Sequence, residues 1–271
     1  MNMMFLEVTK EVQFAIEDCG NNFIKKIKMI SIVTGTLNRR NLLPGLINNT
    51  VEKSDKLELV LVDGGSTDGT LEYLKALNHP QVKLVEVGHR SSYPHFMNLG
   101  IKESKYDYIC QWNDDVLLVN EWPDIIKEID DNDFYLFNWK YGGTNSITNP
   151  SWLSGDDVSH ENGGWCLVDN TDTGDEIVMN YGIYHKRIFR DIGMYNDEYS
   201  YYYADGDMCY RAHIFGYKHK TLWDVKVCSL PTTKMAIHGP NDVSIWEKNK
   251  ELYKNKILPQ NIEYYKTTTN D

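Results

Sequence analysis

Residues 57–74 read LELVLVDGGSTDGTLEYL, and the fold follows from how this stretch is read. The apolar run from Leu59 to Val62 has Val and Leu on both faces, the pattern of a strand buried on both sides of a parallel sheet. It gives way to Asp63, two glycines and Ser66-Thr67-Asp68-Gly69, a turn that leads into a helix from Thr70. Asp63 thus stands where a buried strand ends, and open α/β sheets bind ligands at the carboxyl ends of their strands. A carboxylate there can accept a hydrogen bond from a uracil N3 or a ribose hydroxyl, or it can serve its own turn; the residues leave both open. Asp68, just before the helix, reads as a cap.

Outward from this stretch the chain alternates strand and helix. Strands are expected over 30–34, 82–87 and 108–112, and helices over 41–51, 70–77 and 96–104, with Pro44 tolerated in a first turn. Such alternation means an α/β, doubly wound, mostly parallel central sheet flanked by helices. Residues 1–28 have no counterpart in the pattern and read as an N-terminal extension packed on a main domain over 29–240. Residues 241–271 read as a polar helical tail. Residues 141–176 are rich in Gly, Asn, Asp and Ser and carry Trp152 and Trp165, which suits a lid or an acceptor wall.

Composition narrows the function. A net charge of -11 on 271 residues disfavours a nucleic-acid binder, which needs clustered Lys and Arg. Five scattered cysteines without a C-x-x-C pair suit reduced thiols in a cytoplasmic protein and give no zinc site. Glu7, Lys10 and Glu11 interrupt any signal-peptide core, and no transmembrane segment of about 20 apolar residues is present, so any membrane contact is expected to be peripheral. The 18 Tyr and seven Trp suit both packing and sugar stacking.

Three further constellations carry chemistry. TGTLNRR, residues 34–40, lacks the spacing of G-x-G-x-x-G, which disfavours a dinucleotide-binding dehydrogenase; its backbone and Thr hydroxyls can still edge a base or ribose. QWNDDVLL, residues 111–118, delivers Asn113, Asp114 and Asp115 to a strand end. Adjacent acids repel unless a cation lies between them, which suits Mg2+ or Mn2+ with phosphate oxygens and water, or else they form a solvated acidic turn. In YYYADGDMCYRAHIFGYK, residues 201–218, Asp207 fits a helix N-terminus. Asp205, flanked by aromatics at a loop-to-helix junction, fits a general base.

Taken in order, these pieces resemble the nucleotide-sugar glycosyltransferases of the GT-A fold, in particular the large family 2 of mostly inverting enzymes. SIVTGTLNRRNLLPGLINNT is similar to the first strand and helix start, LVLVDGGSTDGT to the commonest signature, and YPHFMNLGI to the helix bearing N-x-G-I. QWNDDV takes the D-x-D position, and the block over 180–218 resembles the acceptor side with its acid, D-x-x-x-R and G-Y. The resemblance covers roughly 29–238 and implies a Rossmann-like sheet with a small antiparallel acceptor-side portion. It implies that Asp63 contacts the base while Thr34, Gly35, Thr36 and Asn98 line the nucleotide. Asp114 would face the ribose or support the metal, Asp115 would hold Mn2+ or Mg2+, and His238 would lie near the metal or pyrophosphate. Asp205 would be the base. Two departures stand out: Asn113 replaces the first acid of D-x-D, as in rhamnosyltransferase-like members, and Met97 stands where many members carry Arg.

The implied donor is a UDP-, GDP- or dTDP-sugar and the implied acceptor a glycan or a lipid- or protein-linked hydroxyl. One carboxylate base suffices for such transfer, because the leaving diphosphate needs no proton, whereas a glycoside hydrolase needs two carboxyls flanking the bond. Two rivals remain: a catalytically silent nucleotide- or carbohydrate-binding protein on the same scaffold, and a sugar-nucleotide pyrophosphorylase. The second needs a Gly-rich basic loop, for which residues 34–40 offer only Arg39 and Arg40.

Overall fold

The computed structural model describes residues 28–130, 132–141, 181–229 and 242–268. Most of the expected N-terminal extension and of residues 141–176, with Trp152 and Trp165, lies outside the described residues, as does His238.

The alternation becomes β1 (Ile30–Thr36), α1 (Leu43–Asn49), β2 (Leu57–Asp63), α2 (Thr70–Leu77), β3 (Val82–Glu86), α3 (Tyr93–Glu103) and β4 (Tyr108–Gln111). Two of these elements begin away from their expected positions, for local reasons. Helix α1 starts at Leu43, later than expected, with Pro44 in its first turn. Helix α3 starts three residues before Phe96, because the Ser92 side chain accepts a hydrogen bond from the His95 amide and Pro94 sits in the first turn. The residue flanking α2 is Gly69, at φ 88°, and Asp68 beside it accepts from the Thr70 and Arg40 amides, each at 3.1 Å.

Five elements of the second half were not assigned from sequence: β5 (Val116–Leu118), α4 (Trp122–Glu128), β6 (Phe134–Tyr141), α5 (Arg187–Ile192) and β8 (His219–Ser229). With β7 (Gly182–His185) and α6 (Ala204–Ile214), they complete one sheet of order β3-β2-β1-β4-β7-β6-β8-β5. Strands β3, β2, β1 and β4 run parallel. β7 then reverses direction against both β4 and β6, and β5 reverses against β8, which is the antiparallel portion. The chain order turns back between β1 and β4, so the ligand crevice of such a sheet opens between their carboxyl ends.

Alternation along the strands separates the two faces. Ile30, Ile32, Leu57, Leu59 and Leu61 pack with α1, α2 and α4 through Leu43, Leu46, Leu74, Trp122 and Ile125. Val33 and Val60 pack with Met97 and Ile101 of α3 and continue into Met208 and Tyr210 of α6. Gly100 sets how near α3 can come: a Cβ there would lie 2.3 Å from Val33 Cγ1. On the same face lie α7 (Asp242–Leu252), a π-helical turn (Tyr253–Ile257) and α8 (Leu258–Thr268), which bury Tyr253, Ile257 and Leu258 against the α6 layer. No helix among the described residues is long and apolar enough to cross a membrane.

Candidate active site

The carboxyl ends of β1, β2 and β4 form one edge. The register sets Thr36 opposite Asp63 and Gly35 opposite Val62, and the Trp112 amide donates to the Val33 carbonyl just before Asn113-Asp114-Asp115. The Asp63 carboxylate does two things at once. Its Oδ2 accepts from the Gly65 and Ser66 amides at 2.8 and 3.0 Å, which ties the turn, while its Oδ1 is buried and meets no hydrogen-bond partner among the described residues. The two readings left open by sequence are therefore both available to one side chain. Gly65 makes the turn possible: it lies at φ 85°, and a Cβ would fall 2.7 Å from the Gly88 carbonyl oxygen.

The loops after β1 and β2 are laced together. The Asn38 amide donates to Ser66 Oγ at 2.9 Å, the Thr67 amide to Asn38 Oδ1 at 2.8 Å and the Arg39 amide to Thr70 Oγ1 at 3.1 Å. Asn38 takes φ 56°, which Asn tolerates better than most residues. This lacing fixes Arg39 over the third strand end, where its Nε lies 3.7 Å from Asp114 Oδ1. Arg39 Nε and Nη2 and Asp114 Oδ2 are buried and, like Asp63 Oδ1, without a hydrogen-bond partner among the described residues. A buried polar atom left unmet costs about 1–3 kcal/mol, so a cluster of them on one edge marks where a ligand supplies the partners.

Of the three residues after β4, Asn113 donates to the Tyr181 hydroxyl at 3.0 Å and Asp115 is half-buried. Burial pushes the Asp114 carboxyl well above the usual carboxylate range, Asp115 adds to this, and Arg39 and the Thr36 hydroxyl pull against it. Among the described residues no group of three or more His, Cys, Asp or Glu gathers at one point. A dication that keeps its waters and takes phosphate oxygens needs only one or two protein carboxylates, however, and Asp114 and Asp115 provide that number, with Asp114 Oδ2 unmet. The donor set fits.

Asp205 lies in the first turn of α6. Burial raises its pKa to about 7, and its Oδ1 accepts from the Gly206 amide at 3.0 Å, which opposes the rise. Tyr203 just before it is held at φ 70°, an uncommon conformation for a bulky residue, by rings of Tyr253 at 5.4 Å and Trp246 at 6.0 Å. Asp205 is linked to the donor edge through tyrosines. It helps raise the pKa of the Tyr93 and Tyr195 hydroxyls, after burial. The Tyr93 ring lies 6.1 Å from that of Tyr201, whose hydroxyl is raised by burial and by Asp114 and Asp115.

The remaining residues divide between site and scaffold. Thr34 and Thr36 are buried, and the Thr34 hydroxyl donates to the Gly35 carbonyl at 3.0 Å. Gly35 is covered by Phe96, whose Cδ2 would lie 3.1 Å from a Cβ there. Asn98 acts as a clamp: its amide donates to the Tyr195 carbonyl at 2.9 Å and to Asp197 at 3.1 Å, and its Oδ1 accepts from the Tyr195 amide at 3.0 Å. Met97 is buried in the α3 core. Asp207 serves more than a helix terminus, being paired with Arg211 Nε at 3.0 Å and bonded by Asn261 at 2.8 Å. Arg211 in turn donates to the carbonyls of Ile192 and Met194 at 2.7 and 2.9 Å.

The sequence alone assigns no role to Arg39, Tyr93, Tyr195 or Phe96, although all four lie within its motifs. Tyr195, whose hydroxyl donates to Gln111 Oε1, has no local signal, because its partner is 84 residues away in the chain.

Solved structures share this architecture. The mannosyltransferase PcManGT from Pyrobaculum calidifontis, in complex with GDP-Man and Mn2+, superposes with a TM-score of 0.55 at 16% identity over 79% of this chain. Residues 1–349 of TarS from S. aureus give 0.58 at 19% identity over 74% of this chain, and the same protein in complex with UDP-GlcNAc gives 0.55 at 20% over 79%. The chain spans 59%, 60% and 63% of the length of these three structures, and at such identity the likeness is one of fold. No curated protein is similar enough in sequence to match. The profile of glycosyl transferase family 2 matches residues 31–186, more than half of the chain and the stretch that carries Asp63, Asn98, Asp114 and Asp115; the chain therefore belongs to glycosyl transferase family 2, with the GT-A fold.

Proposed function

We propose that the protein transfers a sugar from a nucleoside-diphosphate donor to an acceptor hydroxyl, inverting the anomeric carbon, with Asp205 as the general base. The observation that carries this reading is the set of unmet groups at one sheet edge, Asp63 Oδ1 and Asp114 Oδ2, in a chain whose Asp205, linked towards that edge through Tyr93 and Tyr201, has its carboxyl raised to about 7. Family membership supports sugar transfer, and the structural neighbours hold GDP-Man with Mn2+ and UDP-GlcNAc, the ligand class proposed here. Asp205 lies beyond the stretch matched by the family, so its role rests on its surroundings.

Asp63 Oδ1 accepts an N–H from the nucleobase, and Thr34, Gly35 and Thr36 form the wall beside it. Asn98 keeps the segment over 195–197 in place, which fixes the floor between donor and acceptor. Asp114 and Asp115 would hold Mn2+ or Mg2+, with His238, outside the described residues, a further candidate by resemblance. The ion would supply Lewis-acid stabilisation of the diphosphate. Asp205 takes the proton from the acceptor hydroxyl as its oxygen bonds to the anomeric carbon. The bond from that carbon to the phosphate oxygen breaks, and the nucleoside diphosphate leaves with the electron pair. A base with pKa near 7 is matched to this task at neutral pH and contributes about 10²–10⁴-fold. The acceptor is a glycan or a lipid- or protein-linked hydroxyl.

The test is to incubate the protein with UDP-, GDP- and dTDP-sugars and a panel of saccharide acceptors. Nucleoside diphosphate release and the anomeric configuration of the product are then followed by NMR. Inverted product from one donor is expected; retained configuration would rule out single displacement, and donor binding without any release would favour the silent binder.

A further inference from the structure

We propose that Arg39 is a resident cation of the donor site: it hydrogen-bonds the donor's diphosphate and provides part of the affinity for nucleoside diphosphates without any divalent ion. This rests on the reading of the crevice as a nucleotide site and deepens it.

The position of Arg39 is fixed before any ligand arrives. Its amide is bonded to Thr70 Oγ1 at 3.1 Å, and its neighbours Asn38 and Arg40 are tied by their amides to Ser66 at 2.9 Å and Asp68 at 3.1 Å. The guanidinium is therefore carried on a backbone with little freedom, and its side chain is only 12% exposed. Inside the crevice, however, it lacks partners: Nε and Nη2 meet no hydrogen-bond acceptor among the described residues. The Asp114 Oδ1 is 3.7 Å from Nε, near enough to attract and too far for a hydrogen bond.

A guanidinium presents a planar fork of donors matched to two oxygens of a carboxylate or phosphate. Leaving that fork buried and unmet is costly, so a well-packed loop that holds it in place is built for a ligand that brings oxygens of its own. The local charge points to an anion. Arg39 brings a positive charge whose Nε and Nη2 are unmet among the described residues. A nucleobase edge or a ribose has no charge to exploit that; a diphosphate does.

The experiment is calorimetric titration of uridine, UMP and UDP, and of guanosine, GMP and GDP, in Mn2+ and in EDTA. The proteins are wild type, Arg39→Lys, Arg39→Met, Asp114→Asn and the double variant Arg39→Met/Asp114→Asn. The expected result is that Arg39→Met weakens the preferred diphosphate by about 10- to 100-fold in both Mn2+ and EDTA and leaves its nucleoside within about twofold. Arg39→Lys recovers part of the loss. The double variant, which buries no lone charge, guards against misfolding and shows the same diphosphate-selective loss relative to Asp114→Asn. Equal weakening of nucleoside and diphosphate overturns the proposal, because Arg39 would then act only by shaping the pocket. Undiminished diphosphate affinity in Arg39→Met overturns it too. A wild type that binds no nucleotide in either condition overturns the donor-site reading and this inference with it, and is distinct from both.

Discussion

Replacing Asp205 with Asn separates catalysis from stability in a way that only a buried base allows. The Asn side chain has the same shape, and its Oδ1 still accepts from the Gly206 amide, now held at 3.0 Å, so the turn is kept. What disappears is the charge. Burial lifts the Asp205 pKa from 3.8 to about 7, so the folded state holds a proton that the unfolded chain releases near pH 4. Stability is therefore lost as pH rises from about 4 to 7, and the loss is complete above that. A shift of about three pKa units corresponds to at most about 4 kcal/mol. Because the residue is not wholly buried, about 1–2 kcal/mol is the expected relief in Asp205→Asn at pH 8. That is a rise of roughly 2–6 °C in melting temperature, and it fades by pH 4. Over the same range turnover falls about 10²–10⁴-fold. The assays are nucleoside diphosphate release and thermal melts at pH 4, 6 and 8. Turnover within threefold of wild type would remove Asp205 as the base, and a melting temperature lowered equally at all three values would make its carboxylate structural.

Other substitutions test the frame around the site. Asp63→Asn keeps an oxygen for the Gly65 and Ser66 amides but places an NH2 group where Oδ1 is unmet. We expect urea-melt stability within about 1 kcal/mol and nucleoside affinity at least about 10-fold weaker by calorimetry, and unchanged affinity would leave Asp63 with its turn alone. Gly100→Ala puts a Cβ against Val33 Cγ1 and should cost about 1–3 kcal/mol in urea melts, since neither α3 nor the sheet can yield freely. Arg211→Met leaves Asp207 buried without its ion pair and frees the carbonyls of Ile192 and Met194; a loss of about 3–5 kcal/mol is expected, and one below 1 kcal/mol would mean the pair is dispensable.

The first half of the fold was legible because its signals are local. A strand buried on both faces, a turn that only Gly65 can make and a helix start at Thr70 all lie within residues 57–74. The helices over 204–214 and 242–268 were legible too, but strands β5, β6 and β8 were not, because they are defined by pairing across the chain: Phe134 of β6 lies beside His219 of β8 and Val116 of β5 beside Ser229. The site divides the same way. Acids at strand ends can be found from sequence, and the structure brings Thr36, Asp63 and Asp114 to one edge. Arg39 could not be ranked above Arg40 by spacing; only the fold shows one with its Nε 3.7 Å from Asp114 and the other over the Tyr73 ring. Asn98 was legible as a motif position only through resemblance, and its hold on the Tyr195 backbone needs the three-dimensional arrangement.

The central claim is that this edge binds a nucleoside diphosphate with the help of a metal held by Asp115. It is tested most directly by thermal shifts with UDP, GDP, dTDP and CDP, each with and without Mn2+, on wild type and Asp115→Ala. At about 100 times its dissociation constant a ligand stabilises the folded state by about 2.7 kcal/mol, which such melts resolve. One nucleotide is expected to shift the wild type, further with Mn2+, and Asp115→Ala is expected to lose the metal-dependent increment. No shift with any nucleotide, or an increment from Mn2+ that survives in Asp115→Ala, would contradict it.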